Sequence, residues 1–351
     1  MSIEQNYDKT ALLALPAIQK GSAPEKGLLS WSRPYLIGEV RKQGVDVVTT
    51  RSVAALDAEN GIAKRVVRPE YTADGDVTIH ELGVTALESF GVLRTIVKPV
   101  DVDRFVTGLN PYEFRTYARN KNKTAADFLR PAGLYDRQFT LIDPTQPLGE
   151  QLDTLPDTID TLVAKPNVGR LSDGVKVGDR AAIAEHLAAQ QDPFIVEEKM
   201  SFAPAMPGIK AIDESEQARL DEANRLGVNK ELRLYYFGQD TWDSVMRVAN
   251  PGETDFQNDN WLYIDQDSIP NEVFLRAAKV IEKIREKFSY DEVHICLDFV
   301  YVSTESQPEP HWEVMEMNVA EPQLIQEKEN IEIGRRQHTK LATQIARIAV
   351  S

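Results

Sequence analysis

The stretch from Val293 to Pro322 constrains this chain more than any other. It reads VHICLDFVYV, a polar turn STESQPEPH, then WEVMEMN and VAEP. The two apolar segments are rich in Val, Ile, Phe, Tyr and Trp and are parted by Ser, Pro and Glu, which predicts two neighbouring strands. Each carries acid where a buried strand should not: Asp298 in the first, Glu313 and Glu316 in the second, with Asn318 two places on. Residues i and i+2 of a strand share a face, so Glu316 and Asn318 point the same way, and a hairpin partner brings Asp298 alongside. Two carboxylates and one amide oxygen form a hard-oxygen set of the kind Mg²⁺ uses, completed by water and nucleotide phosphates. The same spacing also fits a plain hairpin with one acidic, solvated face.

A chain of 351 residues points to two or three lobes, and 42% apolar residues suffice for real cores. No apolar run approaches the ~20 residues of a membrane span. The start, MSIEQNYDKT, lacks the basic-then-apolar order of a signal peptide. A single cysteine, Cys296, excludes a disulfide within the chain and fits a reducing, cytoplasmic setting. The net charge of −15 disfavours non-specific nucleic-acid binding, while leaving room for local basic clusters that hold a phosphorylated ligand.

Residues 1–26 read as a loosely ordered arm with one short helix near Ala11 to Leu15. A helix over Pro34 to Gln43, the strand VDVVTT, and strands at Lys64 to Arg68, Val77 to His80 and Val92 to Lys98 suggest an α/β lobe. Asn110-Pro111 opens a helix that breaks near Asn120 to Asn122 and ends at Pro131 and Gly133. Then come a strand Thr161 to Lys165, a glycine loop Asn167 to Gly174, a return strand Val175 to Val177, a helix capped by Asp179, and the strand FIVEEKM. Residues 201–229 hold a loop and an acidic amphipathic helix. ELRLYYFG and DSVMRVA are strands, Asn271 to Phe288 is a helix with one apolar stripe, and Glu327 to Val350 closes the chain as a helix.

The loop after Lys165 can aim backbone N–H groups at phosphate, with the lysine as a point charge. It matches neither the P-loop nor G-x-G-x-x-G, and an ordinary hairpin with a long turn is the competing reading. FIVEEKM either ends in two solvated acids, Glu197 and Glu198, or edges an adenine slot. Arg233 and Arg247, flanked by apolar residues, are either paired structural charges or bidentate phosphate clamps.

These pieces, in this order, resemble the ATP-grasp superfamily over roughly Asn110 to Pro322. The marks are ARNKNKTAADFLRPAGL, TLVAKPNVGRLSDGV, FIVEEKM, KELRLYYFG with MRVANPGETDFQND, and CLDFVYV with EVMEMNVAEP. The resemblance implies a mixed α/β and α+β fold of three lobes: an N-terminal lobe, 1–120; a central lobe, 121–203; and a C-terminal lobe, 204–351, with an insertion at 201–229. Nucleotide would lie between the last two lobes. It implies Lys123 on the α- or β-phosphate, with Lys121 the second choice, and Lys165 as the other phosphate lysine. Gly169 to Gly174 would cover the phosphates. Glu197, Glu198, Lys199 and Met200 would hold adenine and Glu231 the ribose. Arg233 and Arg247 would face the transferring phosphoryl group, assisted by Asn258. Asp298, Glu316 and Asn318 would hold Mg²⁺, with Mn²⁺ as the substitute.

Most members of that superfamily join a carboxylate to an amine through an acyl phosphate, releasing ADP and phosphate, and this activity on small-molecule substrates is the expectation. Charge neutralisation and in-line placement are what such a step demands, and no Ser-His-Asp or reactive-cysteine arrangement is evident. D-alanine–D-alanine ligases typically carry an arginine two residues before the metal aspartate; here that position is Cys296, which argues against that substrate. A small-molecule kinase and a non-catalytic nucleotide-binding protein are the alternatives. A homodimer is the expected assembly, with no membrane or nucleic-acid partner.

Overall fold

The computed structural model describes residues 9–14, 34–50, 55–57, 59–71, 77–95, 108–168, 174–252, 256, 260–319, 324 and 330–351. Among them the strands form three sheets, in chain order.

The first sheet holds β1 (Lys9–Ala14), β2 (Val45–Thr50), β3 (Leu56–Asp57), β4 (Ile62–Tyr71), β5 (Val77–Ala86) and β6 (Val92–Thr95), with α1 (Pro34–Lys42) between β1 and β2. Its order is β3-β4-β2-β1-β6, with β5 on the outer edge of β4. The expected helix near Ala11 is instead β1, paired in parallel with β2 and β6. Ala11, Leu12 and Leu13 are all buried. A central parallel strand is covered on both faces, so its residues run apolar without alternation, and a short run of that kind reads equally as helix.

The second sheet is antiparallel. A broken helix precedes it: α2 (Tyr112–Ala118), then α3 (Lys121–Thr124) running into a π-turn over Ala125–Leu129. Asn120 breaks and recaps it, accepting from the Lys123 N–H. The sheet comprises β7 (Phe139–Ile142), β8 (Leu162–Pro166), β9 (Lys176–Gly178) and β10 (Phe194–Glu198), in the order β7-β10-β8-β9, with α4 (Leu148–Leu152) and α5 (Arg180–Ala188) on one face. Ile142, Leu162, Ala164, Phe194 and Val196 pack against those helices. Lys165 and Glu197 lie on the other face, since Lys165 pairs with Ile195 and Glu197 is two residues on.

The third sheet holds β11 (Ser201–Phe202), β12 (Lys230–Phe237), β13 (Trp242–Val248), β14 (Trp261–Leu262), β15 (His294–Ser303) and β16 (His311–Asn318), in the order β11-β15-β12-β13-β14, with β16 on β15. The 201–229 segment is built into this sheet: β11 pairs with β15, and α6 (Glu214–Leu226) binds the β14 region through Arg219 to the Trp261 carbonyl at 2.8 Å. α7 (Asn271–Phe288) buries Val273, Ala277, Val280, Ile281 and Ile284 against the sheet face that carries Leu232, Leu234, Leu297 and Phe299. α8 (Ile331–Val350) packs between the first and third sheets. Its Leu341, Ala342 and Ile345 share one core with Ala11, Val45 and Val47 on one side and Tyr235, Phe237 and Cys296 on the other. No helix among the described residues is long and apolar enough to cross a membrane.

Candidate active site

The polar residues singled out in the third sheet fall on one face, because the strand register puts them there. Glu231 pairs with Arg247 and Arg247 with Trp261 across β12, β13 and β14. One pleat along, Arg233 pairs with Asp298 and Asp298 with Glu316 across β12, β15 and β16. A register shift after Asp298 sets Val314 opposite Phe299 and Glu313 opposite Val300, leaving Met315 as an extra residue. In a regular strand, Glu313 and Glu316 would face opposite ways. The bulge returns both to the same side, with Asn318.

Contacts tie this face together. Arg233 Nε donates to Asp298 Oδ1 at 3.0 Å, and Asn318 Nδ2 donates to Asp298 Oδ2 at 2.7 Å. Cys296 Sγ donates to the same Asp298 Oδ1 at 3.2 Å. Arg247 Nη2 lies 2.9 Å from Glu231 Oε1. Both guanidiniums lie over the Trp261 ring, at 5.9 and 5.7 Å from its centroid. Burial, then the charge of Asp298, pushes the Glu231 carboxyl up to about 8 against the pull of Arg247 and Arg233. Glu231 Oε2 and the indole N–H of Trp261 are buried without a hydrogen-bond partner.

Asp298 is buried, whereas the Glu316 side chain is 44% exposed and has Lys121 Nζ at 3.9 Å. Among the described residues no group of three or more His, Cys, Asp or Glu side chains is placed to hold a metal ion. Two carboxylates with the Asn318 amide are nevertheless an all-oxygen set, and that chemistry fits Mg²⁺, which needs one or two carboxylates and takes its remaining oxygens from water and phosphate.

Lys165 approaches from the second sheet. Its Nζ lies 2.5 Å from Glu197 Oε1. Burial lowers its pKa, as do the charges of Arg137 and Lys121, against Glu197. Asn167, just beyond β8, accepts the backbone N–H of Lys121 at 3.0 Å through its carbonyl and that of Asn122 at 2.9 Å through its side chain. These bonds seat the start of α3 against the end of β8, which brings Lys121 between Lys165 and Glu316. Lys123 turns elsewhere, with its Nζ 5.3 Å from the Tyr117 ring centroid.

The FIVEEKM acids are not solvated. Glu197 and Glu198 are both buried. Glu198 accepts from the Ser306 backbone N–H and hydroxyl, each at 2.5 Å. Lys199 donates its backbone N–H to the Thr161 carbonyl at 3.1 Å, and Met200 Sδ lies 3.2 Å from Arg137 Nη1. Gly174 has φ +75°, and a Cβ there would sit 3.1 Å from Pro166 Cγ, so both conformation and space favour glycine. Gly169 and Asn258 lie outside the described residues.

Three side chains at this junction carried no sequence signal. Tyr135 and Arg137 precede β7 and close on Glu197, and Arg137 also reaches Glu313. Trp261 stands in a two-residue strand, too short for any pattern.

No protein-family model matches the sequence, and no curated protein matches it. Solved structures do. D-cycloserine synthetase DcsG superposes with a TM-score of 0.56 at 16% identity, covering 97% of this chain and 99% of that one. D-alanyl-alanine synthetase A from Vibrio cholerae gives 0.57 at 11% identity, over 97% and 98% of the two chains. The ATP-grasp ligase PsnB, complexed with a minimal precursor, gives 0.52 at 12% identity, over 96% and 99%.

Proposed function

Because the chain has the ATP-grasp fold over nearly its whole length, we propose that it is an ATP-dependent carboxylate–amine ligase, forming an amide or peptide bond and releasing ADP and phosphate. The observation that carries this reading is the meeting of two lysines and an oxygen-rich row. Lys165 and Lys121 come from one sheet and its preceding helix, while Arg233, Asp298, Glu316 and Asn318 come from the other.

In this reading ATP is a substrate lying between the second and third sheets. Lys121 and Lys165 neutralise its phosphates, with Lys121 replacing Lys123 because it stands beside Glu316. Residues 197–200 border the base, and the unpartnered Glu231 Oε2 hydrogen-bonds a ribose hydroxyl. Asp298, Glu316 and Asn318 would hold Mg²⁺, which when bound supplies positive charge against the phosphate oxygens. A substrate carboxylate oxygen attacks the γ-phosphorus; the bond to the β-bridging oxygen breaks and ADP departs with that electron pair. Arg233 and Arg247, on the same face, stabilise the charge spread over the transferring group. The amine then attacks the acyl carbon and gives up one proton, and the acyl C–O bond breaks with its electron pair on the phosphate, which leaves with that proton and one carboxylate oxygen. Asn258 is proposed to assist the two arginines.

A coupled ADP-release screen over pairs of amino acids and other small acids and amines, with mass analysis of products, tests the reading. ADP release that requires both an acid and an amine is expected. ADP release with an alcohol alone and a stable phosphorylated product would make the protein a kinase. Binding of Mg·ATP without turnover across the screen would make it a non-catalytic nucleotide binder. Glu316→Ala is expected to abolish turnover with an unchanged melting temperature, since the side chain is half exposed; an unchanged rate would remove Glu316 from the site.

A further inference from the structure

Arg137 is fully buried between the second and third sheets. Its Nη1 donates to Glu313 Oε2, and Glu313 Oε1 accepts the backbone N–H groups of Asp136 and Arg137 at 3.1 and 3.0 Å. Its guanidinium stacks over Tyr135, 3.7 Å from the ring centroid. Its Nε lies 3.3 Å from Glu197 Oε2, yet that N–H is buried and makes no hydrogen bond.

Glu197 is thus shared. One oxygen faces Lys165, and the other faces Arg137 and receives the Tyr135 hydroxyl. Glu313 is in turn shared between Arg137 and His311, whose Nε2 lies 3.0 Å away. A chain of ion pairs therefore runs from Lys165 through Glu197, Arg137 and Glu313 to β16, the strand that carries Glu316 and Asn318. A buried donor without a partner needs a reason. Here the unmade bond lies between Arg137 Nε and Glu197 Oε2, the carboxylate oxygen that Lys165 does not contact.

We propose that Arg137 is a positioning residue that takes over the Glu197 carboxylate when Lys165 turns to a nucleotide phosphate, so that the lysine can exchange anions without leaving a bare buried charge. The inference rests on the reading above that Lys165 meets phosphate. In physical terms, a buried carboxylate deserted by its only cation is strongly unfavourable. A second cation already in place removes that barrier to exchange. The groups facing the Lys165 ammonium are Glu197 on β10, Arg137 before β7 and Lys121 on α3.

The test measures Mg·ATP binding by calorimetry on the intact chain. Lys165→Met checks the underlying reading: full affinity in that variant would sink the phosphate role and this inference with it. Given a loss there, the double variant Arg137→Met/Glu313→Gln, which removes one charge of each sign, is expected to bind Mg·ATP at least about tenfold more weakly, the worth of one charge-assisted hydrogen bond. Arg137→Lys is expected to recover part of the loss. Acetylation of Lys165 by limiting acetic anhydride, read by peptide mapping, separates positioning from simple loosening. Without Arg137, Glu197 leans on Lys165 alone, so acetylation should slow; a loosened junction would speed it. Wild-type affinity, or faster acetylation, in the folded double variant overturns the proposal. If the double variant does not fold, Arg137→Gln, which keeps a donor but no charge, decides alone, and unchanged affinity and acetylation there overturn it.

Discussion

Glu197 shows how a single side chain can be read wrongly from its neighbours in sequence. As the fourth residue of FIVEEKM it looks like a solvated strand end, yet it is buried among Lys165, Arg137 and Tyr135. Burial alone would raise its carboxyl, but Arg137 and Lys165 outweigh burial and hold it down at about 2, from an ordinary 4.5. The folded value lies below the unfolded one, so this carboxylate's contribution is complete above about 4.5 and is lost as pH falls toward about 2. The shift corresponds to about 3 kcal/mol. Urea unfolding of wild type and Glu197→Gln should therefore differ most near neutral pH and converge in acid. A gap independent of pH would mean that the carboxylate is not held by those cations.

Among elements, the turn between β15 and β16 joins two sheets by reciprocal acid contacts. Glu198 on β10 takes the Ser306 N–H and hydroxyl, while Glu305 in the turn takes the backbone N–H groups of Asp160 and Thr161 at 2.6 and 3.2 Å. Glu305→Ala should cost only about 1 kcal/mol, because the group is exposed. Its local effect should be larger: amide exchange at Asp160 and Thr161 is expected to quicken severalfold while the global midpoint hardly moves. Unchanged exchange would show that water replaces the carboxylate without loss. α7 is the opposite case, an element legible from its own residues. Its buried positions recur at 273, 277, 280, 281 and 284, the helical period that marks the stripe in the sequence. Ile281→Ala should destabilise by about 2–5 kcal/mol in urea melts.

For the whole molecule, α8 makes the first and third sheets one body. Asp243 on β13 is fully buried and held by Arg336 through two bonds of 2.8 and 2.7 Å and by Lys340 at 2.9 Å. On its other side α8 meets α1, where the Tyr35 hydroxyl lies 3.1 Å from Thr339 Oγ1. Asp243→Ala leaves two cations facing an empty carboxylate site and should cost about 3–5 kcal/mol. Calorimetry should still show one transition, moved down as a unit. A separate early transition of the first sheet would mean that α8 does not couple them.

That Glu316 and Asn318 share a face, that a lysine closes the strand before a glycine loop, and that long helices lie at Asn271–Phe288 and near the end of the chain can all be read from the residues in order. Each follows from a period of 2 or 3.6 or from a cap, which are properties of adjacent residues. The folded chain alone reveals that Glu313 joins them, because one bulge in β16 reverses the parity of every residue before it. It also reveals that Lys121 rather than Lys123 stands beside Glu316, and that Arg137 links Glu197 to Glu313. Those choices depend on how separate sheets pack. Arg137 and Glu313 are 176 positions apart in the chain, a separation at which no local pattern records which side chains will meet.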